Sequence, residues 1–276
     1  MNETLKRAIS GAIYILLLII SIICSVESFF ILFGLFLLIA VFEFCELVHL
    51  PKVLPILAAV VMYGSVTYLE SQNVRLSKNF DYTLLGATLL ISFRCMYFLF
   101  NDKQYKIETV NKYLFLIGYI ILPFIIITKI PFGVKGYNPK IIIGIFILIW
   151  TNDTFAYIVG KSIGKHKLYE KISPKKTIEG FLGGIVFAVI ASYLIATYYI
   201  EGKQTAQFIW LGFAFIVGIF GTIGDLIESK FKRIANVKDS GTIMPGHGGV
   251  LDRLDSVIFV APFLFLFYQL LPFFKF

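Results

Sequence analysis

Ala8–Val26 runs for 19 residues without a charged side chain, and eight further blocks of similar apolarity follow it along the chain. A helix needs about 20 mostly apolar residues to cross a bilayer, so blocks of this kind in series read as repeated membrane spans. The apolar residues are continuous rather than alternating, which argues against a transmembrane β-barrel. Only 15% of the 276 residues are charged, 58% are hydrophobic and the mean hydropathy is +0.84. A soluble domain carries about 25% charge, so a soluble fold is excluded, as are a collagen, a disulfide scaffold and a disordered tail. The expected class is an all-α polytopic membrane bundle. Cys24, Cys45 and Cys95 lie in apolar blocks without metal-ligand spacing and are expected to be small buried hydrophobes.

The blocks predict nine spans: Ala8–Val26, Ser28–Leu47, Val53–Leu69, Tyr82–Phe100, Tyr113–Thr128, Ile141–Val159, Gly180–Ile200, Gln204–Gly224 and Ser256–Phe274. The first follows Lys6 and Arg7 and has no small-x-small cleavage site after it, so it is read as a retained helix. With the amino terminus in the cytoplasm, 17 of the basic residues fall inside and seven outside, with Arg94 left within a span. That asymmetry supports the orientation. It also explains the net charge of +8 as cytoplasmic loops near anionic lipid rather than as a nucleic-acid surface. The chain reads as one domain, with 1–140 a scaffold and 141–276 a catalytic half. The charged residues Glu43, Glu46 and Arg94 within spans are expected to pair with one another inside the bundle.

The densest polar stretch is Ser229–Asp255. Asp252 and Asp255 are three residues apart, which places both carboxylates on one helix face. Asp225 and Glu228 repeat that spacing at the end of the eighth span. Four acids at neighbouring helix ends form an oxygen-ligand set suited to Mg²⁺, and a second cation would also fit. Pro245-Gly246-His247-Gly248-Gly249 is a turn whose backbone amides could approach a phosphate. Lys232, Arg233, Lys238 and Arg253 could neutralise a polyphosphate; positive-inside bias explains their presence but not their interleaving with acids. Upstream, Asp153 interrupts the sixth span, and an acid in a span is a functional-site hypothesis by default. Lys175 and Lys176 suit phosphate contact, while Ser173 or Thr177 could cap the seventh helix.

These residues resemble a known signature, that of the phosphatidate cytidylyltransferases, also called CDP-diacylglycerol synthases. The match comprises Ser229, Lys232-Arg233, Lys238-Asp239, Gly241, Pro245, His247-Gly248-Gly249, Asp252-Arg253 and Asp255. Asp153, Ala156-Tyr157, Gly160, Gly164-Lys165, Ile172 to Thr177, Glu179-Gly180 and Gly224-Asp225 are similar too. The resemblance implies transfer of the cytidylyl group of CTP to phosphatidate, giving CDP-diacylglycerol and pyrophosphate. With the chemistry of the residues, it implies a divalent metal on Asp225, Asp252 and Asp255, with Glu228 nearby. It places phosphates on Lys175, Lys176, Lys232, Arg233, Lys238 and Arg253. His247, Gly248 and Gly249 would shape the nucleotide pocket; Asp153, Ser173 and Asp239 would join the substrate site. A homodimer and a bacterial plasma membrane are implied as well, with the site on the cytoplasmic face.

Segments 151–179 and 224–256 hold 19 of the 42 charges in 62 residues, 11 basic and eight acidic. Two other classes stay open on the sequence. A CTP-dependent polyprenol kinase would need a similar site, and a transporter could use Asp153, Glu43 and Glu46 as an ion path. A CDP-alcohol phosphotransferase is disfavoured because its D-G-x₂-A-R start is absent.

Overall fold

The computed structural model describes residues 3–72, 74, 76–101, 107–133, 136–200, 204–244, 246 and 248–271, without the side chains of 3–7 and 133. Among these the chain forms nine helical rods. They are α1 (Glu3–Cys24), α2 (Val26–Val48), α3 (Val53–Ser71), α4 (Lys78–Phe100), α5 (Thr109–Lys129), α6 (Pro139–Ile163), α7 (Ile178–Tyr199), α8 (Gln204–Ile234) and α9 (Leu251–Leu270). Each overlaps one predicted span. Helices α2 to α8 are long and apolar enough to cross a membrane; the apolar part of α1, Ala8–Cys24, is shorter. The molecule is therefore an all-α polytopic membrane bundle. Two short antiparallel hairpins complete it: β1 (Phe132–Gly133) with β2 (Gly136–Tyr137), and β3 (Lys167–Tyr169) with β4 (Ser173–Thr177).

The outward faces are apolar, as a lipid solvent allows. On α7, Ile178, Leu182, Val186, Ile190 and Leu194 recur every four residues and are all exposed, a stripe that water would penalise. The inward faces pack aromatic rings. Phe231 of α8 lies within 5.0–5.8 Å of the rings of Phe44, Phe98, Phe115 and Tyr119, fastening the end of α8 to α2, α4 and α5.

Charged contacts divide between the two ends of the bundle. At one end the Lys129 ammonium lies 2.6 Å from Glu70 and 3.0 Å from Asp81, joining α5, α3 and α4. At the other end the buried Lys230 ammonium donates to the carbonyls of Phe98 (2.5 Å), Leu99 (3.1 Å) and Asn101 (2.9 Å). These are the orphan acceptors of the last turn of α4, where a cation is favoured. The β3–β4 hairpin and the α8–α9 connection share this second end, since Tyr169 Oη donates to Leu99 O at 3.1 Å.

Several expectations need correction. Glu43, Glu46 and Arg94 do not pair with one another. Glu46 pairs with Lys52 at 2.6 Å, and Arg94 donates to Asn111 Oδ1 at 2.9 Å. Glu43 accepts from the amides of Val250 and Leu251. Each is satisfied by another partner instead. Cys24 is exposed, whereas Cys45 and Cys95 are buried as expected. Asp153 lies mid-helix in α6, and α8 continues past Asp225 for two more turns, because their polar faces line a cavity instead of ending the helix.

Candidate active site

Helices α6 and α7 meet at near backbone contact. A Cβ on Gly180 would stand 2.6 Å from Ala156 O, and one on Gly184 would stand 2.8 Å from Asn152 O. Small residues at such a seam let membrane helices approach closely. Thr177 starts α7 as its cap, accepting from Gly180 N at 3.1 Å, as one of the two expected alternatives. Glu179 then braces the turn after α6, accepting from Lys165 N (3.0 Å), His166 N (3.2 Å) and His166 Nδ1 (2.6 Å). The β3–β4 hairpin is thereby held over the end of α8, and its Lys176 reaches Asp225 at 2.6 Å.

A π-helical stretch, Val217–Gly221, directly precedes the acidic turns of α8; such bulges recur at functional sites. After it, Asp225 Oδ1 accepts from Ser229 Oγ at 3.2 Å. One turn on, the Lys232 ammonium lies 2.5 Å from Glu228 Oε2 and 2.6 Å from Asp252 Oδ1. Asp252 Oδ2 in turn accepts from Ser240 N (2.8 Å), Ser240 Oγ (2.9 Å) and Gly249 N (2.8 Å). Burial pushes the Asp252 carboxyl up, but the Lys232 ammonium and the Gly249 amide outweigh this and hold it below the usual carboxylate value. Gly248 has φ +86°, and a Cβ there would collide with Asp252 Oδ2, so only glycine lets the loop close on that carboxylate. Asp255 is buried and accepts from Ser256 N at 2.7 Å.

These groups surround one cavity of about 780 Å³, lined by Asp153, Asp225, Glu228, Asp239, Asp252 and Asp255 and by Lys161, Lys167, Lys175, Lys176, Lys232 and Arg253. Its volume lies in the range of about 300–1,000 Å³ typical of ligand sites. Six carboxylates thus face six basic groups. A smaller recess of about 340 Å³, lined by Lys238, Gly248 and Thr242 among others, shares Asp239 and Arg253 with it.

Of the charged residues assigned to the site from the sequence, ten line the larger cavity: Asp153, Lys175, Lys176, Asp225, Glu228, Lys232, Asp239, Asp252, Arg253 and Asp255, and Ala156, Tyr157, Gly160, Thr177 and Gly180 of the resemblance line it too. Lys238 and Gly248 line the recess. Gly249 acts through its amide on Asp252. Ser173 pairs with Tyr169 in the hairpin. Arg233 donates to Ile172 O at 3.4 Å and Val237 O at 3.3 Å, bracing two loops rather than facing the cavity. His247 lies outside the described residues. Lys161, Lys167, Thr222 and Ser256 also line the cavity; the two lysines were visible in the sequence only as part of the positive-inside count.

The carboxylates form an all-oxygen donor set of the kind Mg²⁺ takes. Among the described residues no three His, Cys, Asp or Glu groups stand close enough to share one ion; Lys176 and Lys232 intervene as cations. Among the described residues Glu228 Oε1, buried on the cavity wall, has no hydrogen-bond partner. The donors thus suit a divalent cation by atom type, whereas among the described residues their spacing does not bring three of them to one point.

A family model described as "Cytidylyltransferase family" matches residues 5–271. The phosphatidate cytidylyltransferase of Staphylococcus aureus (strain COL) is 51% identical over 119 residues, 43% of this chain and 45% of that protein. The phosphatidate cytidylyltransferase of Bacillus subtilis (strain 168) is 49% identical over 120 residues, 43% of this chain and 44% of that protein. Each match thus spans less than half the length of the relative.

Proposed function

Since the chain belongs to the cytidylyltransferase family, we propose that it transfers the cytidylyl group of CTP to phosphatidate, forming CDP-diacylglycerol and releasing pyrophosphate. The observation that carries the reading is the cavity's balance of six acids and six bases. Both substrates are phosphates, one soluble and one anchored by acyl chains in the bilayer, and a polar cavity at one end of an apolar bundle is open to both. The transporter alternative expects its polar groups near the bilayer midplane, whereas these gather at one end.

In the reaction a phosphatidate phosphate oxygen attacks the α-phosphorus of CTP in line. The bond from that phosphorus to the bridging oxygen breaks, and the electron pair leaves with pyrophosphate. A phosphate monoester has a second pKa of about 6, so it is already a nucleophile at neutral pH and no general base is required. The work of the protein is to hold two anions together and stabilise the charge that develops. Lys175, Lys176 and Arg253 contact phosphate, with Lys232 completing the wall, and Lys238 with Gly248 holds the part of the nucleotide in the recess. Asp225, Asp252, Asp255 and Glu228 would hold Mg²⁺ and a second cation. The metal would neutralise the nucleotide phosphates and the leaving group. Because the six bases are matched in number by six acids, added cations are what bring the cavity's charge to match two anionic substrates.

The same reading has nine spans, a cytoplasmic amino terminus and a cytoplasmic site in a bacterial plasma membrane, as a homodimer. The test is purified protein given phosphatidate and CTP labelled on the α-phosphate. Label in the lipid product supports the reading; label retained in soluble nucleotide overturns it, and a parallel assay in which only CTP labelled on the γ-phosphate marks the lipid indicates a kinase.

A further inference from the structure

Glu43 sits in the last turns of α2, in the scaffold half, and is 1% exposed. Among the described residues no basic side chain forms an ion pair with it. A buried carboxyl without such a partner is costly unless hydrogen bonds compensate. Here Oε1 accepts from Val250 N at 3.0 Å, and Oε2 accepts from Leu251 N at 2.8 Å and from Ser240 Oγ at 3.2 Å. The two amides belong to the start of α9, whose own cap position, Val250, makes no side-chain hydrogen bond. The first N–H groups of a helix lack internal acceptors and carry its positive dipole end. Glu43 thus supplies from α2 the cap that α9 lacks.

Glu43 also shares a loop with Asp252. Ser240 Oγ stands between Glu43 Oε2 at 3.2 Å and Asp252 Oδ2 at 2.9 Å, with one proton to give. A Cβ on Gly241 or Gly249 would run into the Glu43 carboxyl, so the loop can pass it only with glycine at those positions. Glu43 itself lies outside the cavity lining. We propose that Glu43 is a positioning residue for cytidylyl transfer: from α2 it fixes the first turn of α9 and so directs Asp252 and Asp255 into the cavity. The proposal rests on the reaction assigned above.

The test compares full-length wild type, E43Q, E43D and S240A by kcat and KM for CTP, by thermal unfolding, and by hydrogen exchange of the 249–252 amides without ligand. Gln keeps the shape but presents an amide N–H to the α9 amides. We expect kcat per folded E43Q molecule to fall about tenfold or more, with KM for CTP changed less than about threefold, as misaimed catalytic groups would produce. Exchange at 249–252 should accelerate, and E43D should recover part of kcat. A kcat per folded molecule within about twofold of wild type in E43Q would reduce Glu43 to a purely structural cap and overturn the proposal. If E43Q does not fold, the same limit applied to E43D and S240A together decides. A wild-type protein that transfers no label is a separate result that overturns the reaction and, with it, this role.

Discussion

The Lys232 ammonium lies 2.6 Å from Asp252 Oδ1, joining α8 to the first turn of α9 across the floor of the cavity. It also touches Glu228, whose side chain is 1% exposed. One cation therefore serves two largely buried carboxylates. Removing one member of a buried charge set leaves the others uncompensated, at a cost of about 3–5 kcal/mol. Lys232→Met should lower stability by an amount of that order, measured by unfolding in detergent, and abolish label transfer. An unchanged unfolding midpoint would show that Glu228 and Asp252 do not depend on Lys232.

Asp252→Asn tests charge rather than packing. The asparagine carbonyl can still accept from Ser240 and Gly249, while its amide replaces the oxygen facing Lys232, so the loop should stay closed and the protein folded with reduced stability, Lys232 keeping Glu228 as partner. Turnover should nonetheless fall by roughly 10²-fold or more, the scale seen when one electrostatic stabiliser is removed. Near-normal turnover would sink the assignment of Asp252 to the metal site.

Chelation of divalent cations should stop label transfer, and Mg²⁺ should restore it. Asp225→Asn should raise the Mg²⁺ concentration needed for half-maximal rate, since Asp225 would lose a charged oxygen donor. Full activity in excess chelator would remove the metal from the reading.

The apolar blocks were legible because lipid imposes one local rule on every turn of a helix, and each overlaps a rod, seven of which are long and apolar enough to cross a membrane. The acidic clusters were legible for a related reason: charge is so scarce in this chain that its density marks the site. Partners were not legible. Glu43 meets Val250 and Leu251 across most of the chain, and no local pattern encodes such a meeting. Its nearer charged neighbours, Glu46 and Arg94, drew the wrong pairing. Helix ends failed where function intervened. Asp153 looks like an interruption by polarity, yet it stays helical because its side chain lines a polar cavity within the fold.

The last prediction concerns the seam between α6 and α7. Gly180 brings α7 against the α6 backbone, and a Cβ there would meet Ala156 O at 2.6 Å. Carbonyl oxygen in a helix cannot yield as a side-chain tip can, so Gly180→Val must push α7 outward. Thr177, the cap of α7, ends strand β4, and Lys176 is its neighbour; displacement of α7 therefore carries Lys176 away from Asp225, now 2.6 Å distant. Overpacking costs about 1–3 kcal/mol, which a nine-helix bundle can absorb, so Gly180→Val should remain folded but transfer label at least about tenfold more slowly, as a misplacement of this kind produces. Gly64 is the control: a Cβ there meets nothing within 4 Å, and Gly64→Ala should leave both folding and rate unchanged. Equal rates for the two variants would show that the α6–α7 seam does not place Lys176.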